Sequence, residues 1–226
     1  FTALGLAQAG KLKLIENTIN NFIELQNEIG CIPNGNRAYY HSRSQPPVLA
    51  LLVSLYQQHV DIDDQTLVKF VAGIEKEYQF WMDGEFDLSP TQHTHRRLVM
   101  MPDGGFLNRY WDDVAAPRPE SYREDIELAS KLAPASRPDF YRNIRAACES
   151  GWDFSARWLD NADDLTSINT TNIIPVDLNS LLYQVEITLG RLNRQLNQCH
   201  KAQDYEHRAA RRKRTVNQYL WDQQQG

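Results

Sequence analysis

The sequence is short of most features that assign a protein quickly. Cysteine is sparse: Cys31, Cys148 and Cys199 are the three in 226 residues. An odd, scattered set makes neither a disulfide framework nor a spaced thiolate metal site. It suits a reducing compartment, or an exported protein that does without bridges. No apolar run approaches the roughly 20 residues a membrane helix needs. Positive charge is in the minority, with 24 Lys and Arg against 29 Asp and Glu and a net charge of −5. That balance argues against a nucleic-acid coat. No fixed-period repeat and no low-complexity tract is present, so a regular solenoid is not expected. Phe1 stands where an initiator Met would, and the chain closes on Trp221-Asp222-Gln223-Gln224-Gln225-Gly226. Those ends suggest processing at both, or a piece of something longer.

What is present is helical patterning in a chain that is 42% hydrophobic, enough to build a core. Leu12, Ile15, Ile19, Phe22 and Ile23 recur at helical spacing. So do Val48, Leu51, Leu52 and Leu55. Leu67, Phe70, Val71, Ile74, Tyr78 and Trp81 form a third set. Leu178, Leu181, Leu182, Val185, Leu189, Leu192 and Leu196 form a fourth. Each set predicts one apolar helix face. Ser44 before Pro46-Pro47 suits a cap with Pro in the first turn. Asp177 suits a cap for the long helix after Pro175, and Gly30 suits a stop. Helices are expected over roughly 1–9, 11–29, 46–59, 64–82, 119–132, 137–149, 178–199 and 203–221. One hairpin is expected, Arg97–Met101 against Phe106–Tyr110 around Asp103-Gly104-Gly105. Short links alternate with long ones at 30–45, 84–118 and 150–176. Paired antiparallel helices with one bare rim and one functional rim give that pattern.

The long loops carry the chemistry. Residues 32–47 read IPNGNRAYYHSRSQPP. Amides and guanidiniums suit vicinal hydroxyls, and rings suit the C–H faces of a sugar. The same residues also suit a polar turn before a helix. Residues 107–113 and 117–122 read LNRYWDD and PRPESY. Arg118 and Glu120 flank a backbone-fixing Pro and could offer a donor fork and an acceptor to one ligand. Glu120 also suits a helix N-terminus. Residues 150–158 read SGWDFSARW. Apolar cover from Trp152 and Phe154 would raise the pKa of Asp153, as a general acid needs. A capping Asp in an aromatic turn is the plainer alternative. TTNIIPVDLNS, at 170–180, reads as an extended run entering a helix.

Other polar features weigh less. His93 and His95 lack further ligands at metal spacing. The basic run His207–Arg214 and the acids Glu16, Glu24, Glu75 and Glu77 read as solvated helix faces. Asn169-Thr170-Thr171 fits a glycosylation sequon, which matters only in a eukaryotic secretory route.

Together with YLWD at 219–222, these motifs strongly resemble the trehalases of glycoside hydrolase family 37, the bacterial enzymes in particular. The resemblance runs essentially from Phe1 to Gly226. It implies an (α/α)6 barrel of paired helices, so that with the hairpin read above the expected fold is all-α, part of an (α/α)6 barrel with one small β-hairpin in a long loop. It implies hydrolysis of α,α-trehalose to two glucose molecules with inversion. Asp153 matches the general acid. Asn34, Arg43, Ser44, Gln45, Arg118, Pro119, Glu120 and Gly151 match sugar-contacting positions, Pro119 and Gly151 through their backbone. No metal or organic cofactor is implied. The partner is trehalose, with no nucleic acid or membrane. His41 stands where relatives are usually apolar, and Ala156 where they usually have Ser.

Family members are longer, and no carboxylate here matches their general base. An inverting glycosidase needs a second carboxylate roughly 6.5–9.5 Å from the first. The expectation is therefore that 1–226 is the central part of a single catalytic domain, truncated at both ends. The alternative is a non-catalytic sugar-binding or inert helical fragment. A glucoamylase-like (α/α)6 glycosidase is a further reading. The wording PRPES and WDFS leans towards the periplasmic type over the cytoplasmic one.

Overall fold

The structure is a computed structural model that describes residues 2–225. Phe1, expected in the first helix, and Gly226 lie outside the described residues. Within them the helices are α1 (Thr2–Gln8), α2 (Leu12–Ile29), α3 (Leu49–Gln57), α4 (Asp64–Trp81), α5 (Tyr122–Ala129), α6 (Arg137–Ser150), α7 (Val176–Gln195) and α8 (Cys199–Tyr219). Several single 3₁₀ turns lie in the long loops.

The α4 stripe is buried as expected, from Leu67 through Trp81. It packs on Ile15, Ile19 and Ile23 of α2, and each such side chain contributes about 2 kcal/mol by leaving water. Gly73 makes the approach possible, because a Cβ there would sit 2.6 Å from Ile23 Cγ1. Gly30 ends α2 at φ 97°, a left-handed stop, and donates its N–H to Gln26 O. The α7 stripe is likewise buried at Leu178, Leu182, Val185, Leu189 and Leu192.

Helix α3 differs from expectation in face and in start. Its buried side is Leu49, Ala50, Val53 and Tyr56, while Val48 and Leu51 are exposed. The segment LALLVSLY is apolar nearly all round, so its periodicity selects no face. The helix begins at Leu49, beyond Pro46-Pro47, and Ser44 does not cap it. The Ser44 hydroxyl instead donates to Ile32 O and Gln45 O. Asp177 lies in the first turn of α7 and pairs with Arg157 at 2.9 Å, while Pro175 occupies the capping position. Pro119 opens a 3₁₀ turn, Pro119–Ser121, so α5 begins only at Tyr122.

The hairpin is present but shorter, and it is part of a three-stranded antiparallel sheet. β1 (Thr94–His95) pairs with β2 (Leu98–Met100), which pairs with β3 (Phe106–Asn108). His95 is therefore a strand residue beside Asp87, at 3.9 Å.

Two polar expectations change, those for Glu77 and for the basic run. Glu77 is buried at 2% exposure, on the inner face of α4. Burial pushes its pKa up to about 8. The amides of Val48 and Leu49 oppose that shift but lie outside hydrogen-bond geometry, so both carboxyl oxygens lack a partner. Arg212 of the basic run is buried and donates to Glu186 at 2.9 Å. Arg208 pairs with Glu85 at 3.0 Å. The face of α8 that packs on α7 and β3 takes up these guanidiniums because carboxylates meet them there.

Candidate active site

Four loops meet at one end of the helix pairs, and buried polar side chains join them. Rings form one connection. Phe80, Trp81, Tyr110 and Trp158 pack edge to face in sequence, at centroid distances of 5.6, 6.0 and 5.9 Å. They tie the end of α4 to loops 107–113 and 150–158. Asn108 and Asn179 form another. The Asn108 N–H donates to Asn179 Oδ1 at 2.8 Å, and Asn179 Nδ2 returns a bond to Asn108 O at 2.9 Å. TTNIIPVDLNS thus does structural work, as read from the sequence.

The loop 32–47 folds on itself. Pro33 and Ser44 form an antiparallel bridge. Asn34 Nδ2 donates to Ser44 O at 3.2 Å, and Gln45 Nε2 donates to Asn34 O at 2.7 Å. Arg43 is fully buried, 5.3 Å over the Tyr40 ring, and donates from Nη2 to Glu120 Oε1 at 2.6 Å. Its Nε and Nη1 have no partner. Asn34, Arg43, Ser44, Gln45 and Glu120 are therefore one hydrogen-bonded group.

Arg118 joins from the other side. Its Nε and Nη2 grip Asp125, at 3.0 and 2.6 Å, and Nη1 faces Cys148 Sγ at 3.3 Å. Asp125 thus engages one edge of the fork that the sequence had offered to a ligand. Burial raises the Cys148 thiol pKa, while Arg118 and Arg43 lower it and Asp153 raises it further. The Cys148 contact places Arg118 against the C-terminal turn of α6. Gly151 ends that helix at φ 72°.

Asp153 is not enclosed as expected. It is exposed, and so is Trp152. Both flanking rings pack on guanidiniums instead: Trp152 under Arg157 at 4.4 Å and Phe154 under Arg118 at 5.0 Å. The carboxylate is left facing solvent. The Asp153–Phe154 peptide bond is cis. A cleft of about 430 Å³ between α4, α7 and α8 and one of about 460 Å³ between α4 and α8 contain none of these residues. Asp153 and Trp152 are thus the exposed part of a site whose Arg43, Ser44 and Arg118 are buried.

Sequence reasoning missed two acids. Glu149 and Asp112 are fully buried among the site loops. Asp112 accepts from Ser42 Oγ at 3.0 Å and Arg145 Nε at 2.8 Å. Their signal was available: Glu149 follows an apolar turn of α6, and Asp112 sits in an aromatic loop. Among the described residues no cluster of His, Cys, Asp and Glu fits a metal. No described helix is long and apolar enough to cross a membrane.

The sequence model of the trehalase family matches residues 1–226. The chain belongs to the trehalase family. The relatives agree. A periplasmic trehalase of Shigella flexneri is 45% identical over 226 residues, which is all of this chain and 40% of that protein. Periplasmic trehalases of Escherichia coli are 44% identical over the same span. The neutral trehalase of Saccharomyces cerevisiae superposes with a TM-score of 0.76 at 25% identity, over 97% of this chain and 43% of that one. The paired helices are thus part of an (α/α)6 barrel. The chain spans about 40% of the length of the bacterial relatives it matches.

Proposed function

We propose that this chain is the central part of a single trehalase catalytic domain. The complete protein hydrolyses α,α-trehalose to two glucose molecules with inversion. Family membership over the whole chain carries the reading. The grouping of Arg43, Glu120, Asn34, Ser44 and Gln45 supports it.

Asp153 is the general acid and protonates the bridging oxygen as the glycosidic bond breaks. Its access to solvent on this chain leaves room for a sugar to approach. Arg43, buried behind the rim, contributes to the sugar site by holding Glu120 in place. Arg118, held by Asp125, covers the same rim, and Pro119 and Gly151 contribute backbone groups. A glutamate outside this sequence activates water from the opposite face of the ring, as inversion requires. The relatives named periplasmic support a periplasmic location. The isolated chain is inactive in this reading, because its acid stands alone and exposed.

The test is hydrolysis by the full-length protein, offered trehalose and maltose separately. Release of one β- and one α-glucose from each trehalose supports the reading, whereas two α-anomers would contradict inversion. Preference for maltose would move the chain to a glucoamylase-like activity.

A further inference from the structure

Glu149 is fully buried at the end of α6, and three separate segments meet on it. Its Oε1 accepts the Ser44 N–H at 2.9 Å, and its Oε2 accepts the Trp111 N–H at 3.0 Å. Arg97, beside β2, donates to both oxygens, with Nη2 to Oε1 at 2.5 Å and Nε to Oε2 at 3.1 Å. Arg97 is fixed in turn by the Trp111 carbonyl at 2.8 Å and by the Phe80 ring at 4.2 Å. Every acceptor position of the carboxylate that faces these segments is used.

The placement matters as much as the count. Arg145 and Glu149 lie four residues apart on one face of α6. Arg145 Nη2 donates to the Ser42 hydroxyl at 2.9 Å, and Glu149 takes the Ser44 N–H. The helix therefore holds the loop at Ser42 and Ser44, on either side of Arg43. Asp153 lies four residues beyond Glu149, past the Gly151 stop.

We infer that Glu149 is a positioning residue for the sugar site, joining the Arg43 loop and the Trp111 loop to the helix that presents Asp153. It touches no substrate. It acts by fixing the spacing between the Arg43 loop and the acid. A carboxylate suits the task because two N–H groups and one guanidinium converge on it, and all are donors. An amide would turn an NH2 group towards one of those donors. This inference rests on the trehalase reading above.

The experiment uses the full-length protein. Glu149→Gln is compared with Glu77→Gln, which alters a buried carboxylate on α4 that has no hydrogen-bond partner. Unfolding temperature, kcat and KM for trehalose, and hydrogen exchange at the Ser44 and Trp111 amides are measured, the kinetics well below both unfolding temperatures. Expected for Glu149→Gln is a fall in kcat/KM of about 10- to 100-fold with both parameters changed, and faster exchange at the two amides. Glu77→Gln is expected to raise the unfolding temperature at neutral pH with kcat and KM unchanged. If Glu149→Gln yields no folded protein, Arg97→Lys carries the same test, since it keeps the charge and loses the two-point grip. A folded variant with wild-type kcat and KM overturns the inference. A wild-type protein inactive on trehalose overturns the functional reading instead, and the exchange rates still report whether Glu149 holds the loops.

Discussion

The buried guanidinium of Arg43 donates to Glu120 at 2.6 Å, joining residues 77 positions apart. Two further nitrogens of Arg43 remain without partners. One side chain thus ties two loops together, with its remaining nitrogens buried. Replacement by methionine keeps the bulk and removes the donors. Arg43→Met is expected to cost about 2 kcal/mol of stability, because the Glu120 carboxylate retains some access to water. In the full-length protein it is expected to raise KM for trehalose by about tenfold or more. Urea unfolding and steady-state kinetics check the two parts.

Glu77 predicts a pH dependence of stability. Its pKa in the folded chain, about 8, lies above the ordinary value of 4.5. Below the lower value the carboxyl is neutral in both states and contributes no pH dependence. As pH rises towards 8 the unfolded chain ionises first, so stability falls. The full loss is on the order of 5 kcal/mol. Glu77→Gln removes this dependence. Urea unfolding at pH 5, 7 and 9 is expected to show a variant whose advantage over wild type grows with pH. An advantage that does not change with pH would refute the assignment.

Asn179 serves Asn108 as a strand partner would, taking its N–H and supplying its carbonyl with a donor. It also accepts from Arg212 at 3.0 Å. Asn179→Ala leaves buried donors unpaired and is expected to destabilise by about 3 kcal/mol. Thermal unfolding measures it. Asn179→Asp, which keeps the acceptor, is expected to cost less.

Gly84 sits at φ 87°, and a Cβ there would lie 2.2 Å from the His95 ring. Gly84→Ala meets both the left-handed backbone and a strand residue. A loss of about 2 kcal/mol is expected, seen as a lowered unfolding temperature.

The parts legible in the sequence were those that repeat or punctuate. The α4 stripe and the Gly30 stop follow from spacing and backbone freedom alone. The loops bearing Arg43, Glu120 and Asp153 stood out by composition. Less legible were polar groups whose partners lie far along the chain. Glu77 falls within the apolar stripe of α4, and Glu186 within that of α7, so their positions did carry a burial signal. Their charge pointed the other way, and only the partner or its absence decides such a case. The exposure of Asp153 was hidden for a related reason. Neighbouring rings in sequence say nothing about what they pack on, and here Trp152 and Phe154 chose Arg157 and Arg118. Glu149 was missed because its role is visible only when three segments are seen to converge.

The most direct measurement is trehalose hydrolysis by the full-length protein with Asp153→Asn. The residue is exposed and bears no buried contacts, so stability is expected to stay within about 0.5 kcal/mol of wild type. Loss of the general acid is expected to lower kcat by about 100-fold to 10,000-fold. A folded variant that hydrolyses trehalose at the wild-type rate would contradict the assignment of Asp153 as the acid.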